Sequence, residues 1–153
     1  MNAQQAWGTA LLRVTLGVVF VMHGYVAVKV LGFETTTGLI VRMGYPLTIA
    51  PALTWYLIVV HIAGGTLMIV GLWTRLAALG QVPIMASAVF LLHLGQGFFM
   101  RGTVVDAAAG PVVASGYAYP LLVLVATLAL ALLGGGAASV DLRRATRRRI
   151  ELP

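Results

Sequence analysis

Four stretches of the chain are apolar over about the thickness of a bilayer: residues 9–31, 50–72, 76–99 and 117–133. Each supplies about 20 residues, enough at 1.5 Å of rise per residue to cross roughly 30 Å of hydrocarbon as a helix. Between them lie a connector of mixed polarity (32–49), a tight turn at Trp73-Thr74-Arg75, and a second connector (101–116). Pro120 falls in the first turn of the last run, where proline is tolerated, and Gly134-Gly135-Gly136 ends that run. The pattern predicts an all-α membrane protein: a four-transmembrane-helix bundle over residues 1–142, then a basic tail over 143–153. A short interfacial helix is expected after Thr36. The first run is too long for the apolar core of a cleaved leader, and no A-x-A-like site follows it, so it is read as a retained anchor.

The polar positions inside these runs are not scattered. On a helix turning 100° per residue, Thr54, His61, Gly64, Gly65 and Met68 share one face of the second run. A face holding a histidine, two glycines and a hydroxyl turns toward protein rather than lipid. The first run carries Arg13, His23 and Lys29, and the third carries Gln81, Ser87, His93 and Gln96. The Gly64-Gly65 pair predicts a close helix–helix approach.

Composition agrees with a membrane location. The chain is 60% hydrophobic and 9% charged, with a mean hydropathy of +0.98, whereas a soluble domain carries roughly 25% charged residues. Net charge is +6, and five arginines (Arg143, Arg144, Arg147, Arg148, Arg149) crowd the tail. A short basic tail beside a span is a topology signal with access to anionic headgroups, not a nucleic-acid surface, so no nucleic-acid partner is expected. With no cysteine in the sequence, this chain cannot contribute disulfides, thiolate metal sites or iron–sulfur ligands. It also has no hydrolase triad, phosphate loop or nucleotide fingerprint.

An even number of spans puts both termini on one side, together with Arg13, Arg75 and the tail. Lys29, Arg42 and Arg101 lie opposite, so the positive-inside rule places both termini in the cytoplasm. Aromatic residues agree: Trp7 and Trp73 mark the inner interface, and Tyr45, Trp55, Tyr56, Phe98, Phe99, Tyr117 and Tyr119 the outer one. Arg13, a few residues inside the inner boundary, is read as snorkelling to the interface, with an ion pair to Asp141 as the sharper alternative.

Helix rise puts His23 about 12 Å, His61 about 16 Å and His93 about 9 Å below the outer ends of their runs. Ionisable groups at membrane depth are costly and mark function by default. Three imidazoles from three helices could form one site near the outer leaflet, as cofactor-binding residues, the same three serving as ligands if the cofactor is a metal. A neutral imidazole can equally join two helices through a carbonyl. Thr54, Ser87 and Gln96 are candidate partners behind the imidazoles. Met22, Met68, Met85 and Met100 could add soft donors for copper, although methionine in an apolar helix is usually packing. Copper, haem b with two axial histidines, and a quinone accepting an imidazole N–H all remain open.

The runs LLRVTLGVVFVMHGYVAVK, MGYP, GGTLMIVGLWTRLAAL, HLGQGFF, GYAYPLL and SVDL, in that order, resemble the DoxX family from about Leu11 to Leu142. The resemblance implies a small four-helix multi-pass protein of the bacterial inner (cytoplasmic) membrane. The family takes its name from subunits linked to thiosulfate:quinone oxidoreduction, and its fold travels better than its function. Arg13, His23, Gly24, Lys29, Arg75, His93 and Asp141 match the family pattern. His61 stands where similar proteins usually carry a glutamate, and Ala118 where they often carry another. Replacing carboxylates by an imidazole argues against a proton-carrying carboxylate role and for nitrogen ligation. The expectation is therefore a membrane subunit of a redox system, working with other membrane subunits, whose histidine site binds a metal, haem or quinone. The alternative is a non-catalytic accessory subunit of a larger complex, binding only lipid and protein.

Overall fold

The structure, a computed structural model, describes residues 2–99 and 116–151, with side chains as far as Thr146. Met100, Arg101 and most of the second connector lie outside the described residues. Three helices are long and apolar enough to cross a membrane, Ala3–Arg42, Ala50–Val70 and Thr74–Gln96, and a shorter apolar helix spans Ala118–Leu133. The first of these bends. Helix α1 (Ala3–Tyr25) runs into a π-helical turn at Val26–Leu31. Gly32 then takes φ +77°, a left-handed conformation that glycine adopts without a Cβ clash, and α2 (Gly32–Arg42) leaves in a new direction. Helices α3 (Ala50–Val70), α4 (Thr74–Gln96) and α5 (Ala118–Leu133) complete the apolar bundle, and α6 (Val140–Glu151) carries the basic tail.

The order of packing is cyclic: α1 against α3, α3 against α4, α4 against α5, and α5 back against α1. The buried centre is apolar, built on Leu16, Phe20, Met68, Ala78, Val89, Val123, Leu124 and Leu130. The expected glycine contact splits in two. Gly65 faces α1, where a Cβ would stand 2.9 Å from the Gly17 carbonyl oxygen, and Gly64 faces α4. Gly17 is equally confined, with a Cβ 2.7 Å from the Gly65 carbonyl oxygen, and Gly24 sits against Ile62 and the His61 Cβ. Backbone therefore meets backbone along α1 and α3, the contact that small residues permit between helices.

At one end of the bundle the start of α1 meets the segment that follows α5, with the Ala137 amide donating to Ala6 O at 2.9 Å. The α3–α4 turn sits in the same cluster. Gly71 (φ +73°) ends α3 with the Leu72 amide bonded back to Leu67 O, a Schellman-type closure. Arg13 does not snorkel. It is 2% exposed, and its Nη1 donates to Met68 O at 2.6 Å and Ile69 O at 2.7 Å, the last carbonyls of α3. The Asp141 carboxylate accepts from the amides of Trp73 (2.8 Å) and Thr74 (2.9 Å), the first of α4. Both charged side chains thus spend their hydrogen bonds on backbone. A cation meets a helix C-terminus and an anion a helix N-terminus, the favourable sense of each helix dipole. Arg13 turns in toward carbonyls at the end of the α3 ladder, where Met68 O is otherwise met by the Gly71 amide at 3.2 Å; helix-end carbonyls short of donors are costly in hydrocarbon.

Gly17→Leu should force α1 and α3 apart, costing about 1–3 kcal/mol and lowering the melting temperature in detergent. Gly38→Ala, where a Cβ meets nothing within 4 Å, should be neutral or slightly stabilising. Equal melting temperatures for the parent and Gly17→Leu would refute the close contact.

Candidate functional site

Away from the terminal cluster the bundle is not filled. A cavity of about 510 Å³ opens between α1, α2, α3, α4 and α5, and His23, His61 and His93 all line it. Its walls are otherwise mostly apolar, from Val19, Phe20, Leu57, Ile84, Met85 and Val123 among others. Concave, mainly apolar space with a few convergent polar groups is the usual form of a small-molecule site.

Each of the three helices that carry a histidine is locally wound as a π turn beside it: Val26–Leu31 after His23, Val60–Gly64 around His61, and Ala88–His93 ending at His93. Such turns recur at functional sites because the extra residue re-aims side chains and frees backbone carbonyls. The freed groups are met from neighbouring elements. Gln81 of α4 donates from Nε2 to Val60 O at 2.7 Å. The Thr36 hydroxyl of α2 reaches Ala27 O and Gly32 O.

His61 is the most enclosed of the three, 5% exposed. Its ring packs edge-on against Phe20 at a centroid separation of 5.4 Å and against His23 at 6.3 Å. Among the described residues His61 Nδ1 is buried without a hydrogen-bond partner, as are Gln81 Oε1, Thr74 Oγ1 and Arg13 Nε. A buried polar atom left unpaired costs about 1–3 kcal/mol, so in a folded chain it asks for an explanation. His23 is more open. Its Nδ1–H donates to Val19 O at 2.8 Å, one turn back on the same helix, and its ring stacks on Tyr119 at 6.5 Å with 19° between planes. His93 Nδ1 lies 3.3 Å from Gln96 Oε1, and Gln96 Nε2 in turn donates to Leu92 O.

The three imidazoles share a wall but are not one ligand set. Among the described residues, no three of His, Asp and Glu are grouped to hold a metal ion. Of the expected partners, Gln96 stands behind His93, but Thr54 bonds Thr37 and Ala50 O. Ser87 bonds Pro83 O and the Tyr45 hydroxyl, pinning the first connector over the cavity. Of the candidate sulfur donors, Met85 lines the cavity, Met68 is fully buried in the core and Met22 is exposed. Sequence reading missed Tyr119, Tyr45 and Phe20 as cavity neighbours, since their partners come from other elements and no spacing announces them. Gln81 did signal an inward face, but its bond to a π-turn carbonyl could not be read from periodicity.

A family model, DoxX, matches residues 8–94, more than half of the chain. The matched segment contains His23, His61 and His93 and stops before the GYAYPLL and SVDL stretches. No curated protein and no solved structure matches the chain.

His61→Leu removes an imidazole that has no partner at Nδ1 and fills the space with carbon. The ligand-free variant should melt at the parent's temperature or above it, by up to about 1 kcal/mol of stability. A loss of more than about 2 kcal/mol would mean that His61 serves the fold instead.

Proposed function

The chain belongs to the DoxX family, and from that premise we propose that it is the membrane subunit of a redox system whose cavity receives the ring of a lipid-soluble quinone. The observation that carries this reading is the place of His61, nearly enclosed and with no partner for Nδ1 among the described residues, on the wall of a mostly apolar cavity of about 510 Å³. An imidazole there supplies one oriented polar contact, and the walls accept an apolar ring and the start of its tail. Haem suits the geometry less well. His23 and His61 stand on helices already in backbone contact at Gly24 and Ile62, with Phe20 packed on His61. A macrocycle between the two rings would have to separate α1 from α3. A metal held by all three histidines lacks their convergence.

In the same reading, α1, α3, α4 and α5 each cross a bacterial inner membrane, with both termini cytoplasmic. Supporting this are the arginines Arg13, Arg75, Arg143 and Arg144 at the terminal end and the aromatic residues at the other. The cavity then opens in the outer half of the membrane. Other membrane subunits supply the electron-transfer machinery, because this chain offers no cysteine and no cofactor fingerprint.

Protein purified in mild detergent from a quinone-containing membrane should yield quinone on solvent extraction, near one per chain. His61→Leu should reduce the yield at least tenfold while the protein stays folded. A Soret band or stoichiometric copper lost in the same variant would replace quinone with haem or copper. Colourless, ligand-free protein that co-purifies with a larger complex would leave the accessory role.

A further inference from the structure

Hydrogen bookkeeping around the cavity is lopsided. A neutral imidazole carries one N–H and one lone pair, and charging it at membrane depth is costly. His23 commits its proton at Nδ1 to Val19 O at 2.8 Å. His93 Nδ1 faces Gln96 Oε1 at 3.3 Å, and the Gln96 amide is fixed in that sense because its Nε2 donates to Leu92 O at 3.0 Å. Both residues line the cavity, and with the proton on Nδ1 each ring keeps Nε2 as its lone-pair acceptor. Hydroxyl protons are committed too. Ser87 donates to Pro83 O, so the Tyr45 hydroxyl must donate to Ser87 Oγ. Thr36 donates to Gly32 O. Among the described residues, no acceptor lies within bonding geometry of His61 Nδ1 or of the Tyr119 phenol, so the donors left over are the His61 N–H and that phenol.

We propose that the cavity selects the hydroxyl-bearing, reduced form of an aromatic ring, a hydroquinone, over the carbonyl-bearing quinone. This rests on the ring-binding reading above and adds the oxidation state of the ring. A carbonyl oxygen can only accept. It can be met by His61 or Tyr119, but beside His23 or His93 it sets lone pair against lone pair. A hydroxyl donates to an imidazole Nε2 and still accepts from His61 or Tyr119, so it satisfies both sets. A site whose polar groups accept a hydrogen bond favours the ring that carries the donor, because the analogue without it leaves those acceptors without a partner while the ring is bound.

The test uses the full chain in detergent, stripped of endogenous lipid quinone, and a benzoquinone with a decyl tail. Its oxidised form and its dithionite-reduced hydroquinone are titrated separately, without oxygen and at mildly alkaline pH. The hydroquinone should bind roughly tenfold tighter or better. His23→Phe keeps an aromatic ring on Tyr119 and removes the acceptor, and should bring the two forms to within about threefold, with His93→Phe as the second variant. Oxidised ring binding as tightly as reduced ring overturns this inference and leaves the ring-binding reading intact. So does a preference unchanged in both variants. Binding of neither form overturns the ring-binding reading and the inference together.

Discussion

Backbone contact between α1 and α3 is the constraint on which the rest of the molecule depends. In hydrocarbon no hydrophobic force draws two apolar helices together, so association rests on close packing and on satisfied polar groups. Gly17, Gly24 and Gly65 remove the side chains that would hold the helices apart. The contact brings His23 and His61 to 6.3 Å between ring centroids, and it seats Arg13 on the last carbonyls of α3. Beyond that contact, α2 and Tyr45 line the space beside the two histidines instead of filling it.

The polar groups follow one rule: every carbonyl that helix geometry leaves open must be met from within the protein. Arg13 and Asp141 meet the two ends exposed by the α3–α4 turn, each with the sign the helix dipole favours. Trp73 takes φ +49°, uncommon for a residue with a Cβ, and its amide is held by Asp141. Gln81 and Thr36 meet carbonyls of π turns. Of the buried polar atoms left unpaired among the described residues, Arg13 Nε, Thr74 Oγ1, Gln81 Oε1 and His61 Nδ1, only the last belongs to a residue that lines the cavity.

Much of the fold was legible in the sequence because hydrocarbon allows few solutions. An apolar run of some 20 residues in such a composition is a helix, and Gly64-Gly65 beside an apolar face is a contact surface. The motif order from Leu11 onward gave the family, which the match over residues 8–94 shows. The site was legible only in outline. Three histidines could be set at similar depth by counting rise, yet direction around a helix axis shifts when a π turn adds a residue, and all three helices contain one. Arg13 was misjudged for a related reason. Depth said it could reach the interface, but nothing in its own helix revealed the helix-end carbonyls of Met68 and Ile69, which are more than fifty residues away.

If the unfilled space beside His61 is a binding site, a ring-bearing probe should find it from the membrane. A photoreactive azido-benzoquinone with a decyl tail, illuminated with the protein in detergent and mapped by peptide mass, examines this most directly. Labels are expected on cavity residues such as Phe20, Leu57, Tyr119 and Val123, and excess unlabelled ring should suppress them. Labels confined to outward-facing residues such as Phe90, Leu122 and Leu132, unaffected by competitor, would contradict the account.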